Sequence, residues 1–348
     1  MENKKVECKK KVYVIGVYPS PYGGATVKCE KFFGLLNKKG FAPIKVDIFE
    51  IRRRRSKAFA ILKECIKAFQ SDAPIVYCLD SKRLKAIILL QKFFKKSFDR
   101  TTILIIGGVF HKTVAEDKAF EKAVKQVKGI WVETKGMKEE LRQRGFENIE
   151  IFPNPKPEEG SCKPVIVEEE KELRLLFFSQ ISKEKGVESI IKLVELLDKE
   201  KVSYQLDFYG HIIPQFKDEF EKFIARSRKV RYCGVFDSTK SNVYKKLNEY
   251  DILLFPTQWK GEGIPGILVE AKMAGLAVIA SPMNFNREVI REENREGFLL
   301  DKKYPEEMRD IIKSCSEDKA LLNRIKEGSY QSRKRYALEE YEDMVESL

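Results

Sequence analysis

Apolar residues fall along this chain in short unbroken runs rather than in strict alternation with polar ones. Residues 12–17, 75–79, 103–106 and 130–133 are such runs or nearly so, 44–48 (IKVDI) alternates and also reads as a strand, and apolar positions recur at helical spacing between them, as over 28–38 and 58–70. Runs of this length predict strands buried on both faces, and their alternation with helices predicts a parallel sheet covered by helices. The pattern stops at residues 152–164, FPNPKPEEGSCKP, where four prolines, a glycine and a serine mark a linker. Beyond it the runs resume at 175–178, 204–209, 252–255 and 276–280, with an amphipathic helix predicted over 187–197. No short repeat of fixed period is evident. A chain of 348 residues suits two α/β domains. The predicted layout is a first domain over 1–155, a linker over 156–164 and a second domain over 165–329. The final segment, 330–348, reads as a charged amphipathic helix.

Charge separates the two halves. The formal net charge is +13, but residues 1–155 carry 33 Lys and Arg against 17 Asp and Glu, a balance of +16, while the remainder carries 33 against 36, a balance of −3. Arg52 to Arg55 form an unbroken run, and Lys9 to Lys11, Lys38, Lys39, Lys95 and Lys96 add to the same field. A single charge run is ordinarily a solvated face, whereas an excess confined to one domain implies an anionic partner: lipid headgroups, a lipid-diphosphate acceptor or nucleic acid. No apolar run approaches the ~20 residues that span a bilayer. Residues 12–18 follow a basic start but are short and lack a small-residue cleavage pattern, so a first buried strand is the better reading. Seven scattered cysteines without a CxxC pair suggest reduced thiols in a cytoplasm. With only His111 and His211 present, a histidine-based metal site is not expected.

The candidate chemistry centres on residues 251–281, DILLFPTQWKGEGIPGILVEAKMAGLAVIAS. Glu262 and Glu270 are eight apart, a spacing that also occurs at Glu139 and Glu147 and at Glu288 and Glu296, so the spacing itself says nothing. Their setting does. Residues 252–255 read as a buried strand ended by Pro256 and Thr257, Pro265 suits a helix start, Ile267, Leu268, Ala271 and Ala274 recur at helical spacing, and Gly275 ends the helix. Glu262 then sits in a loop at the carboxyl end of a strand, and Glu270 about one turn, roughly 6 Å, past Gly266. Amides at a helix N-terminus favour an anion such as a diphosphate, and carboxylates accept hydrogen bonds from vicinal hydroxyls, each worth ~1.5–3 kcal/mol. A sugar nucleotide presents sugar hydroxyls, diphosphate and ribose hydroxyls in that order. The plainer reading, a helix-dipole carboxylate and one solvated Glu, is disfavoured by the flanking Gly263, Pro265 and Gly266.

At these residues the chain resembles the retaining glycosyltransferases of the glycosyltransferase-4, or group 1, family, which have the GT-B fold. The resemblance rests on Glu262-Gly263, Glu270-Ala271, Gly275 and the Val-Ile-Ala-Ser strand, and it extends over roughly residues 173–281. It implies two Rossmann-like parallel-sheet domains facing across a cleft. By the same resemblance Glu262 contacts the donor sugar, Glu270 the ribose, and the amides around Gly263, Gly266 and Leu268 the sugar and diphosphate. Family members commonly have an aromatic and a Gly where this chain has Ile264 and Pro265, a change that bears on the sugar pocket. A second motif is LLFFSQISKEKG, in which Lys185 and Gly186 open a helix. A cation beside helix-start amides suits a phosphate, and the resemblance assigns Lys185 to the donor diphosphate; the alternative is a solvated lysine. Many members carry Arg at the position of Gln180, so either Gln180 makes a neutral contact or another base, with Lys260 the candidate, substitutes. Gly210 fits a third family position where backbone lies close to the nucleotide, or is a plain strand-ending turn. The segment at 330–348 would, by resemblance, cross back onto the first domain.

In the first domain, loops at strand ends are the natural ligand positions. YPSPYGGAT after the first strand and GGVFHK after the fourth are the candidates. Gly23 and Gly24 would let backbone approach the phosphate or the acceptor, unless they form only a tight turn. His111 would touch the donor sugar or developing charge, as a histidine at a similar place does in some relatives, or is a hydrogen-bonded structural residue.

These readings converge on a metal-independent, retaining, hexosyltransferase-type enzyme that uses a UDP- or GDP-sugar as co-substrate and no other cofactor. The glycan or lipid-linked acceptor would belong to cell-envelope polysaccharide or glycolipid synthesis. The protein would be cytoplasmic, at the inner face of a membrane through its basic first domain, with nucleic acid not the expected partner. Two alternatives stand beside this: a GT-B-fold sugar-nucleotide epimerase, and a non-catalytic protein that binds membrane or nucleic acid through that domain.

Overall fold

The structure is a computed structural model that describes residues 10–19, 23–238, 240–302 and 304–348. The chain divides into two compact units. Unit 1 comprises Met1–Asn154 together with Tyr341–Leu348, and unit 2 is Pro155–Glu340.

Unit 1 is a six-stranded sheet of β1 (Lys11–Gly16), β2 (Ala42–Asp47), β3 (Ile75–Leu79), β4 (Thr101–Ile105), β5 (Gly129–Val132) and β6 (Ile149–Ile151). The order is β2-β1-β3-β4-β5-β6 and every pairing is parallel. β3 and β4 are buried along their whole length, as unbroken apolar runs require. Helices Gly24–Lys38, Ala58–Gln70 and Ser81–Gln91 make the connections. The Asp80 carboxylate accepts from the backbone N–H groups of Lys82 and Arg83 and so starts the third helix. One buried ion pair lies at the carboxyl edge: Lys28 donates to Glu133 and, at 3.0 Å, to the carbonyl of Ile105.

Unit 2 repeats the architecture with β7 (Leu173–Phe178), β8 (Tyr204–Tyr209), β9 (Val230–Tyr232), β10 (Ile252–Phe255), β11 (Ala277–Ala280) and β12 (Phe298–Leu299). The order is β12-β11-β10-β7-β8-β9, again wholly parallel. Its central strands explain their own sequences. Leu175, Phe177, Ile252 and Leu254 enter one apolar cluster, and Leu176, Leu253 and Phe255 enter another on the opposite face. Successive side chains alternate in direction, yet both directions are buried, so the run reads as continuous.

Two sequence expectations need correcting. The short strands β6, β9 and β12 lie at sheet edges, where two or three residues suffice, too few to announce a strand, and in β6 and β9 the run is broken by the exposed Glu150 and Arg231. The segment over 330–348 is not one helix. The helix Lys319–Gln331 ends within it, 3-10 turns follow at Ser332–Tyr336 and Leu338–Tyr341, and a last short helix spans Glu342–Glu346. Extended backbone at Ala337 breaks the run, because Lys156 pairs with it: the Lys156 N–H donates to Tyr336 O at 2.9 Å and Leu338 N–H donates to Lys156 O at 2.8 Å. Within unit 1 the last residues are fastened by Lys39 to Glu342 and Glu346 (2.6 and 2.9 Å), by Lys128 to the Ser347 carbonyl (2.9 Å) and by the Tyr341 ring edge-on to Phe152. No helix among the described residues is long and apolar enough to cross a membrane.

Candidate active site

Because β10, β7 and β8 are neighbours in unit 2, the loops leaving their carboxyl ends lie side by side, where open α/β sheets bind ligands. The loop after β7 rests on the end of β8: Ser179 N–H donates to Tyr209 O (3.1 Å) and Ile181 N–H to His211 O (2.8 Å). Gly210 permits this contact, since with φ +145° a Cβ there would lie 1.8 Å from Ser179 O. Gln180 in the same loop is exposed. Phe178 and Tyr209 stack beside it at 5.4 Å between centroids, with Phe236 against Phe178, forming an aromatic wall.

The β7 loop also meets the loop after β10. Gly186 has φ +80° and a Cβ there would lie 2.0 Å from Pro256 O, so only glycine fits. Gln258 N–H donates to Glu184 O at 2.7 Å. The result joins the two motifs: the Lys185 ammonium pairs with the Glu262 carboxylate, their side chains 17% and 14% exposed. The β10 loop is fixed from behind by Asn284, whose amide donates to the carbonyls of Trp259, Lys260 and Glu262 at 3.3, 3.0 and 3.1 Å. The Lys260 side chain is exposed.

The helix Gly266–Met273 follows, with Pro265 as its N-cap and no side-chain cap. Gly263 is buried and Gly266 half-buried at this turn; the Leu268 side chain is in the core, which leaves only its backbone for a ligand. Glu270, on the same helix, pairs at 3.1 Å with Lys156, itself 5% exposed.

The candidates in unit 1 stand in different surroundings. His111, in helix Phe110–Glu116, is 2% exposed with Nε2 3.6 Å from Glu140, and burial pushes its pKa down. Gly23 caps helix Gly24–Lys38 and its N–H donates to Thr26 Oγ1 at 3.1 Å. Ser20 to Tyr22, the centre of that loop, lie outside the described residues, as does Cys8.

Chemically, unit 2 thus presents a cation and a carboxylate in contact, a helix start and an aromatic wall on three adjacent loops. Lysine has three N–H groups and a carboxylate about four acceptor sites, so the Lys185 and Glu262 contact leaves both able to engage a ligand. Among the described residues no group of three His, Cys, Asp or Glu is placed to hold a metal ion. Asn284, Lys156 and the Lys28 and Glu133 pair were not identified from sequence. Asn284 had a local signal, as Asn tolerates the positive φ (48°) it adopts. Lys156 had none, lying in a proline-rich stretch.

Comparison with known proteins agrees with this architecture. Residues 162–332 match the family described as glycosyl transferases group 1. An uncharacterized glycosyltransferase of Methanocaldococcus jannaschii is 27% identical over 233 residues, which is 66% of this chain and 56% of that protein. The chain therefore spans little more than half the length of that relative. Among solved structures, Anabaena HepE in complex with UDP superimposes with a TM-score of 0.74 at 12% identity, covering 97% of this chain and 98% of the other. The lipopolysaccharide outer core galactosyltransferase WaaB gives a TM-score of 0.63 at 16% identity, covering 96% and 97%. Those likenesses concern the fold, a pair of parallel-sheet units of GT-B type. Residues 162–332 thus form a domain of the glycosyl transferases group 1 type.

Proposed function

We propose that this protein is a retaining glycosyltransferase that moves a hexose-type sugar from a nucleoside diphosphate sugar to an acceptor hydroxyl. The observation that carries the reading is the contact of Lys185 with Glu262, a cation suited to a diphosphate beside a carboxylate suited to sugar hydroxyls, in the loops that lead to the helix start at Gly266. Glu262 accepts from the sugar hydroxyls, Glu270 from the ribose, and the amides of the Gly263 to Leu268 turn face the diphosphate. The acceptor oxygen attacks the anomeric carbon on the face that the diphosphate leaves. The bond from that carbon to the diphosphate breaks, and the departing phosphate takes the acceptor proton. The protein positions the two substrates and meets the charge that develops on the phosphate, through Lys185 and the helix N-terminus rather than through a metal ion. Complexes of HepE with UDP and with UDP-glucose favour a nucleotide sugar as donor. The lipopolysaccharide galactosyltransferase among the structural neighbours favours an envelope glycan or glycolipid as product. The basic first half of the chain favours an anionic acceptor, or one held at the cytoplasmic face of a membrane.

A melting screen over uridine, guanosine and adenosine diphosphates and their sugars tests donor binding, since a ligand at 100 times its Kd adds about 2.7 kcal/mol. One base should stabilise, and stabilisation by none overturns the reading. Glu262→Gln should then lower transfer about 100-fold or more at unchanged melting temperature, and a chelator should leave transfer intact. Near-normal turnover in that variant would remove Glu262 from its role.

A further inference from the structure

The loop and helix after β2 in unit 1 carry a surface that the transfer reaction does not use. Residues 51–63, IRRRRSKAFAILK, hold six cations and no carboxylate, and every residue from 51 to 60 is exposed. Three large apolar side chains stand among these charges: Phe59 is 79% exposed, Leu62 40% and Ile51 38%. In helix Ala58–Gln70 the buried face is made by Cys65, Ala68 and Phe69. Phe59 and Leu62, three residues apart, continue that apolar stripe toward the helix N-terminus, where it is exposed.

The cations divide into two groups. Arg53 is engaged within the protein by Asp47, Glu50 and the Tyr18 carbonyl, at 3.0, 2.6 and 2.6 Å. For Arg54, Arg55, Lys57 and Lys63 no ion pair occurs among the described residues. The groove of about 580 Å³ that adjoins the segment is lined by Lys45, Lys57, Lys63 and Lys67 but also by Asp47, Glu50 and Glu64, with Lys67 paired to Glu64 at 2.6 Å, so much of its charge is balanced and the excess lies on the segment itself.

We propose that residues 51–63 dock this protein on an anionic lipid bilayer. Phe59 and Leu62 enter the interfacial layer, and the arginines and lysines meet lipid phosphates. A polyanion such as RNA would use the cations but gives Leu62 and Ile51 nothing to contact, whereas a bilayer accounts for cations and apolar side chains together. The inference rests on the proposed function only in making the membrane the place where the acceptor is met.

The test is cosedimentation of the full chain with vesicles of phosphatidylglycerol and phosphatidylcholine, against vesicles of phosphatidylcholine alone. Binding should require the anionic lipid. It should fall about tenfold in Phe59→Ser and by a similar factor in the double variant Arg54→Ser with Arg55→Ser, at unchanged melting temperatures because these side chains are exposed. Phe59→Trp should add emission that lipids brominated in the acyl chain quench. Vesicle binding that is equal in the variants, or added indole emission that stays unquenched while the Phe59→Trp protein is bound, would overturn the proposal. So would binding to duplex RNA, but not to vesicles, that survives Phe59→Ser. These assays contain no nucleotide and the melting screen contains no lipid, so failure of the docking surface and failure of the transferase reading are told apart.

Discussion

Replacing Gly186 with alanine would place a methyl group against the Pro256 carbonyl and force a left-handed backbone that costs a side-chain-bearing residue about 1–2 kcal/mol by itself. Denaturant unfolding of Gly186→Ala should show a loss of about 2 kcal/mol or more, together with weaker nucleotide binding, since the strain falls on the loop that carries Lys185. A stability equal to that of the parent would show that the two loops do not need this contact. Asn284→Ala should behave differently. It removes the donor to three carbonyls of the Glu262 loop from a largely exposed position, so kcat/KM should fall about tenfold while the melting temperature changes little. The difference between these residues also marks what a sequence discloses. Lys185, Glu262 and Glu270 could be singled out because their chemistry belongs to a strand, turn and helix that are local in sequence. The Lys156 partner of Glu270 could not, since that contact depends on a distant segment being laid across the helix by its pairing with Ala337.

At the scale of elements, the central strands were legible because both of their faces are buried, whereas of the four edge strands only β2, six residues long, was legible, and the shorter β6, β9 and β12 were not. The end of unit 2 shows how an element can be misread. The segment 330–348 reads in sequence as a charged amphipathic helix, but its 332–336 part is a 3-10 turn in which Arg335 grips Glu296 through both carboxylate oxygens at 2.6 Å, and Lys272 joins them from helix Gly266–Met273 at 3.0 Å. Burial acts against the Glu296 charge, yet Arg335 and then Lys272 hold its carboxyl below the usual value, so its contribution is present above about pH 4.5 and fades as pH falls. Lys272 has the opposite balance. Burial outweighs Glu296 and pushes it from 10.5 down to about 8, so between those values the unfolded chain binds more protons than the folded one, and stability rises with pH. Relative to Lys272→Met, the parent should gain on the order of 2–3 kcal/mol between pH 8 and 10.5 in urea titrations. Parallel curves for the two proteins would mean that Lys272 is charged throughout.

For the molecule as a whole, the alternation of strands and helices disclosed two α/β units, and the motif pointed to the one that holds the candidate donor site. The return of the chain to unit 1 at Tyr341–Leu348 was expected only from the family resemblance, because the closing segment has too few apolar residues to form a pattern. Its weight is carried by Val345 and Leu348, both buried, and by contacts such as those of Lys39. Deleting residues 341–348 should therefore destabilise unit 1 by about 2–4 kcal/mol or more, from a buried Val, a buried Leu and several ion pairs. Hydrogen exchange should quicken over residues 10–154 and stay unchanged over 155–340. Uniform quickening would show that the segment serves both units.

The same split has a consequence in time. A ribosome that has delivered unit 1 up to Asn154 must make all of Pro155–Glu340 before Tyr341 emerges, which at about 5–20 residues per second is roughly ten to forty seconds. For that interval the nascent first unit waits without its last fastening, while the second unit, drawn from one continuous stretch, has every residue it needs.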